Sequence, residues 1–94
     1  MQFDWNPEKN EWLKRNRGIS FEEISLLLAE GKVWKVAVHS NQKKYQNQKL
    51  FLVPIDDYIY LVPFVLDEEI IFLKTAFPNR KATKDYLQER KKNG

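Results

Sequence analysis

Three apolar runs dominate the second half of the chain: Leu50–Ile55, Tyr58–Val65 and Ile70–Phe77. They are separated by Asp56-Asp57 and by Leu66-Asp67-Glu68, with Glu69 directly before the third run. Short acidic breaks between β-rich runs read as hairpin turns, so the spacing predicts an antiparallel meander. The rest of a 94-residue chain must then wrap around that meander. At this length one domain, spanning 1–94, and one core are expected.

The register follows from the turns. If Ile55 faces Tyr58, then Val53 faces Tyr60 and Phe51 faces Val62. If Val65 faces Glu69, then Phe64 meets Ile70, Val62 meets Phe72 and Tyr60 meets Lys74. One face then carries Phe51, Tyr58, Tyr60, Phe64, Phe72 and Lys74, and the other carries Leu50, Leu52, Ile59, Leu61, Val65, Ile71 and Leu73. Both faces are apolar. The leading and C-terminal helices cover one, leaving the other to the tail, to a partner chain or partly open. Pro54 and Pro63 donate no ladder bond, so a bulge or gap is expected at one of them.

Around the meander, Gln2–Trp5 reads as a short opening strand. Asn6-Pro7 starts a helix, because proline loses nothing at the first helical position. That helix runs to about Asn16 with Trp12 and Leu13 inward, and Gly18 ends it. Ser20-Phe21-Glu22-Glu23 is a capping box for a second helix, whose Phe21, Ile24, Leu27 and Leu28 share one face. Glu30-Gly31 closes it. Val33–His39 reads as a strand, Ser40–Gln48 as a polar loop, and Asn79 caps a final helix to about Lys92. The fold class is therefore α+β: two N-terminal helices, a twisted antiparallel sheet and a C-terminal helix.

Composition narrows the chemistry. There is no cysteine, which excludes disulfides, thiolate metal sites and cysteine nucleophiles, and the single His39 excludes histidine-rich metal sites. No apolar run approaches a membrane span, so a soluble, cytoplasmic protein is expected. Net charge alternates along the chain: −2 over 1–31, +5 over 32–49, −5 over 50–73 and +5 over 74–94. The two basic segments suit a polyanion if the fold brings them together, or else they simply keep a small protein soluble. The acids Asp56, Asp57, Asp67, Glu68 and Glu69 occupy two turns at opposite ends of the meander. They are not expected to share an ion.

Two stretches carry a family resemblance. Phe3-Asp4-Trp5-Asn6-Pro7-Glu8-Lys9, followed by Gly18-Ile19-Ser20-Phe21-Glu22-Glu23, resembles the N-terminal signature of the BrnT family, small ribonuclease toxins of type II toxin–antitoxin pairs. Asn79-Arg80-Lys81-Ala82-Thr83-Lys84 resembles that family's C-terminal motif. The chain departs from the pattern at Asn16-Arg17, where the family has a lysine-histidine pair, at Leu13, and in a loose match over Tyr45–Lys49. The resemblance implies a RelE-like fold and metal-independent RNA cleavage, with no cofactor. In that reaction the 2′-hydroxyl attacks the adjacent phosphate, basic side chains stabilise the charge, and a protonated group assists the leaving 5′-oxygen. It also implies a cognate antitoxin as partner, and operator DNA bound through the antitoxin complex.

The candidate catalytic residues are Arg80, Lys49, Lys74 and His39. Arg80 starts the last helix, where a guanidinium and helix N–H groups can meet one phosphate; alternatively it pairs with Glu69 or Asp85. Lys74 interrupts an apolar strand beside Tyr60, where burying an unpaired ammonium is costly. Lys49 aligns with a family arginine, or is a strand-edge gatekeeper. His39 is the one side chain that titrates near neutrality. Lys9, Lys81, Lys84 and Tyr60 are candidates for holding RNA, and Tyr45 and Tyr58 for stacking bases. The alternatives are a non-catalytic module that binds a protein or nucleic acid, and an assembly protein using its two-faced sheet. The enzymatic reading requires these cations to gather around one concave spot.

Overall fold

The computed structural model describes residues 2–38, 41–44 and 48–93. Three helices and six strands follow one another as β1 (Gln2–Trp5), α1 (Pro7–Arg17), α2 (Phe21–Ala29), β2 (Lys35–Val38), β3 (Lys49–Ile55), β4 (Tyr58–Asp67), β5 (Ile70–Leu73), β6 (Phe77–Pro78) and α3 (Arg80–Asn93). The fold is α+β, with strand order β1-β5-β4-β3-β2 and β6 also on β4. The sheet is mixed rather than purely antiparallel, because β1 lies parallel to β5, with Phe3 opposite Ile71 and Trp5 opposite Leu73. The opening strand thus closes the far edge of the meander. Helices α1 and α2 together form the connection that carries the chain away from it.

The caps form as their chemistry dictates. The Asn6 side chain accepts from the Lys9 amide and Pro7 stands at the first turn, while Gly18 ends α1 with a left-handed φ of 65°. The Ser20 hydroxyl accepts from the Glu23 amide at the start of α2. Asn79 caps α3 by accepting from the Ala82 amide.

The β3–β4 hairpin has the expected register, with Ile55 opposite Tyr58, Val53 opposite Tyr60 and Phe51 opposite Val62. Its two turn residues, Asp56 and Asp57, both take positive φ, as a tight turn matched to strand twist requires. The β4–β5 register differs from expectation. Strand β4 runs on through Asp67, and Phe64 pairs with Leu73, Val65 with Phe72 and Leu66 with Ile71. The turn is Glu68-Glu69, with Glu68 at positive φ. The pairing register is three residues away from the expected one, and that odd offset moves every β5 side chain to the opposite face, since side chains alternate with period two. Ile71 and Leu73 therefore join Phe64 in the core, while Phe72 and Lys74 face the other way.

Both prolines find places that need no N–H. Ladder pairing with β4 ends at Leu73 and resumes one residue out of step at Phe77 opposite Leu61. The extra residue lies in 74–76, opposite Pro63, and the Lys74 amide donates to the Pro63 carbonyl. This is the expected bulge. Arg17 donates from its guanidinium to the carbonyl of Ala76, a group that the bulge takes out of the ladder. Pro54 pairs with Ile59. The Ile59 carbonyl accepts from Asn79 rather than from β3, so nothing in β3 is asked to donate there.

One face of the sheet is the main core. Val53, Val62, Leu73, Phe21, Leu13 and Ile24 are fully buried there beneath α1 and α2, with Phe51 stacked on Phe64 at 3.9 Å between ring centroids. Each such side chain stabilises the fold by about 1.5–3 kcal/mol through apolar burial. Buried Asn10 joins the two helices: its side chain accepts from the Phe21 amide and donates to Glu22, both at 2.8 Å. The other face is crossed by α3 at one end only. There, fully buried Ile59 lies beneath α3, and its amide donates 2.9 Å to the Thr83 hydroxyl. The C-terminal helix therefore does not share a face with the leading pair. Among the described residues no helix is long and apolar enough to cross a membrane.

Candidate nucleic-acid interface

Helix α3 places Arg80, Lys84, Leu87 and Lys91 at offsets of four, three and four, which puts them on one stripe about 16 Å long at 1.5 Å per residue. This stripe and Tyr58, at the start of β4, wall a groove of about 410 Å³ with Thr83 and Gln88. Tyr58 and Leu87 are 37% and 39% exposed, so the groove offers aromatic and aliphatic surface between its cations.

The groove is basic because the nearby acids are engaged elsewhere. Asp85 holds Lys81 at 3.3 Å, Glu89 holds Lys35 at 3.8 Å and Asp57 holds Arg90 at 2.7 Å. The bond to Asp57 comes first among the causes that raise the Arg90 pKa. Among the described residues no carboxylate pairs with Arg80, Lys84 or Lys91. Arg80 pairs with neither Glu69 nor Asp85. It stands at the first position of α3, where the leading amides of any helix lack an internal acceptor and favour an anion.

Thr83 fixes the helix to the sheet. Its hydroxyl donates 2.7 Å to the Asn79 carbonyl and accepts from Ile59, and the side chain is buried. The groove's two walls, α3 and the start of β4, are thus joined by a hydrogen-bond pair at Thr83.

The remaining candidates disperse. Lys49 begins β3 opposite Phe64, exposed, on the face that carries Phe51. It lies five positions along β4 from Ile59, where α3 begins, or about 17 Å at strand spacing. Lys74 sits in the bulge with its ammonium 5.6 Å from the Phe72 ring centre, on the opposite face from Lys49 and away from Tyr60. Its charge stays in water, so no burial cost arises. Lys9 lies 4.1 Å from the Trp12 ring centre on α1, and Lys81 faces Asp85. Tyr60 is half-buried, edge-on to Tyr58 at 6.3 Å. His39 and Tyr45 lie outside the described residues. Arg80, Lys49 and Lys74 therefore do not converge. Arg80 and Lys84 do, and they converge with Lys91 and Tyr58, which the sequence reading did not group with them. The helical spacing of 80, 84, 87 and 91 carried that signal.

A second recess lies across α3. Trp34 and Tyr86 meet edge to face at 5.3 Å, and with Lys32, Val33, Pro54, Asp56 and Asp57 they line a cleft of about 600 Å³. Arg17 is engaged structurally with Ala76 and lies 4.8 Å from the Trp12 ring centre. No protein-family model, no curated protein and no solved structure matches this chain.

Proposed function

We propose that this chain binds single-stranded RNA in the cytoplasm through the groove along α3. The observation that carries the reading is the stripe of Arg80, Lys84 and Lys91, which has no carboxylate partner among the described residues and is interleaved with Leu87 and Tyr58. Phosphates supply the counter-charges, with Arg80 offering a fork of donors and Lys84 and Lys91 point charges. Tyr58 supplies a ring on which a base stacks regardless of its identity.

A second reading, metal-independent cleavage by a RelE-like toxin held by an antitoxin, is favoured by one specific contact set: the Tyr58 phenol lines the same groove as Arg80. The phenol can give a proton to the 5′-oxygen as its bond to phosphorus breaks, the 2′-hydroxyl loses its own proton to water as it attacks, and the guanidinium can stabilise the phosphorane between the two steps.

One experiment separates the readings. A fluorescein-labelled oligouridylate is titrated by anisotropy and then run on a denaturing gel, with and without EDTA. Binding that falls about tenfold or more in an Arg80→Ala/Lys84→Ala variant, and is unchanged in Lys49→Ala/Lys74→Ala, supports the groove. Cut RNA that persists in EDTA and disappears in Tyr58→Phe supports cleavage. Equal binding by both double variants refutes the assignment.

A further inference from the structure

The cleft across α3 has a lining unlike that of the groove. Its walls are two aromatic rings and Pro54, and its rim carries Lys32, Asp56 and Asp57. Its volume of about 600 Å³ falls within the ordinary range of small-ligand sites. Positive charge already stands beside both rings, so a further cation there meets like charge. Lys35 lies 4.5 Å from the Trp34 ring centre and Arg90 lies 5.5 Å from that of Tyr86, yet neither lines the cleft. Two carboxylates at the rim keep an anionic group out of the cleft itself, so any phosphate attached to the ligand stays outside it. What fits is an uncharged flat ring with both donors and acceptors on its edge.

We propose that this cleft receives a guanine base. Asp57 is committed to Arg90 at 2.7 Å, whereas Asp56 has no ion-pair partner among the described residues. The Asp56 carboxylate accepts the two adjacent N–H donors that guanine alone of the RNA bases presents, from N1 and N2. The Lys32 ammonium, whose only ion pair among the described residues is a loose 3.9 Å contact with Glu30, donates to O6. Adenine, cytosine and uracil lack the paired donors and leave the carboxylate unmatched. Trp34 and Tyr86 supply the stacking surface. The turn that carries Asp56 and Asp57 is followed at once by Tyr58 of the groove, so both sites flank one hairpin tip. The inference rests on the RNA-binding reading only for its source of guanine. A free guanine nucleotide offers the same chemistry.

The test uses the four nucleoside monophosphates, whose common phosphate leaves the base as the only difference. Each is titrated into nitrogen-15-labelled protein while the Trp34 indole N–H and the Asp56 amide are followed. Guanylate is expected to bind about tenfold tighter than the other three, and Asp56→Asn to remove that preference. Asparagine tolerates the positive φ of position 56, so the variant keeps the turn. In parallel, an oligouridylate with one internal guanosine is compared with plain oligouridylate. A gain of about tenfold that Asp56→Asn abolishes places the base within an RNA strand. Guanylate preference without that gain assigns the cleft to a free nucleotide. Arg80→Ala/Lys84→Ala is expected to weaken both oligomers alike and to leave the guanylate preference intact, so failure of the groove is distinguishable from failure of the cleft. Equal binding of all four monophosphates, binding of none, or shifts confined to residues away from Trp34 and Asp56 overturns the proposal.

Discussion

Thr83→Val is the sharpest perturbation of the contact that holds α3 to the sheet. Valine keeps the shape and removes the hydroxyl. The Ile59 amide then loses its acceptor at a fully buried residue, which costs about 1–3 kcal/mol for an unsatisfied buried donor. The Asn79 carbonyl keeps a second donor, the Thr83 amide at 3.1 Å, so its loss is small, about 0.5 kcal/mol. The expected destabilisation is about 2–3 kcal/mol. Thr83→Ser keeps both bonds and removes one methyl, at about 0.8 kcal/mol. In urea, with a slope of about 1–1.5 kcal/mol per molar for a domain of this size, Thr83→Val lowers the midpoint by about 2 M and Thr83→Ser by under 1 M. The Val variant is also expected to weaken RNA binding, because the groove lies between the elements that Thr83 joins. Equal midpoints for the two variants would refute the reasoning, since they would show that the hydroxyl carries none of the attachment.

Other perturbations probe the remaining joints. Asn10→Ala strands the buried Phe21 amide and frees Glu22, and is expected to cost about 1–3 kcal/mol in a urea melt. Arg17→Met removes the donor to the Ala76 carbonyl in the bulge. It is expected to destabilise by about 1–2 kcal/mol and to speed amide exchange around 74–76, because the carbonyl is left without its charged partner. The Asn10 amide comes first among the causes that hold the Glu22 carboxyl below its ordinary pKa. A depressed folded-state pKa contributes stability above the unfolded value, and that stability is lost as pH falls through the folded one. Melts between pH 7 and pH 2 are therefore expected to show a stability gap between wild type and Glu22→Gln near neutrality that closes below pH 4.

Local chemistry made much of this fold legible. Asn6-Pro7, Gly18, Ser20 through Glu23 and Asn79 each mark a helix end through a hydrogen bond that needs no tertiary context. The turn at Asp56-Asp57 fixes the first hairpin for the same reason. The second hairpin was misread because Asp67 begins an acidic run that looks like a turn, and Leu66 beside it was counted with that break. Pairing with Ile71 and Ile70 keeps them in the ladder, and a three-residue error exchanged the two faces. That error alone put Lys74 beside Tyr60. The parallel pairing of β1 with β5 spans most of the chain, and no neighbouring pattern announces such a contact. Within the candidate site, the helical positions of Arg80 and Lys84 were readable. Lys49 and Lys74 were grouped with them on resemblance and register rather than on any shared element. Tyr58 joins the groove only because Thr83 binds Ile59, a contact that no local signal encodes.

The salt dependence of RNA binding measures the phosphate contacts directly. Three groove cations on a single strand give a slope of log affinity against log salt near −2, at about −0.7 per neutralised phosphate. Arg80→Ala/Lys84→Ala is expected to flatten that slope to about −0.7 while Lys49→Ala/Lys74→Ala leaves it unchanged. A slope that stays put when the groove is neutralised, or that flattens only when Lys49 and Lys74 are removed, would contradict the account.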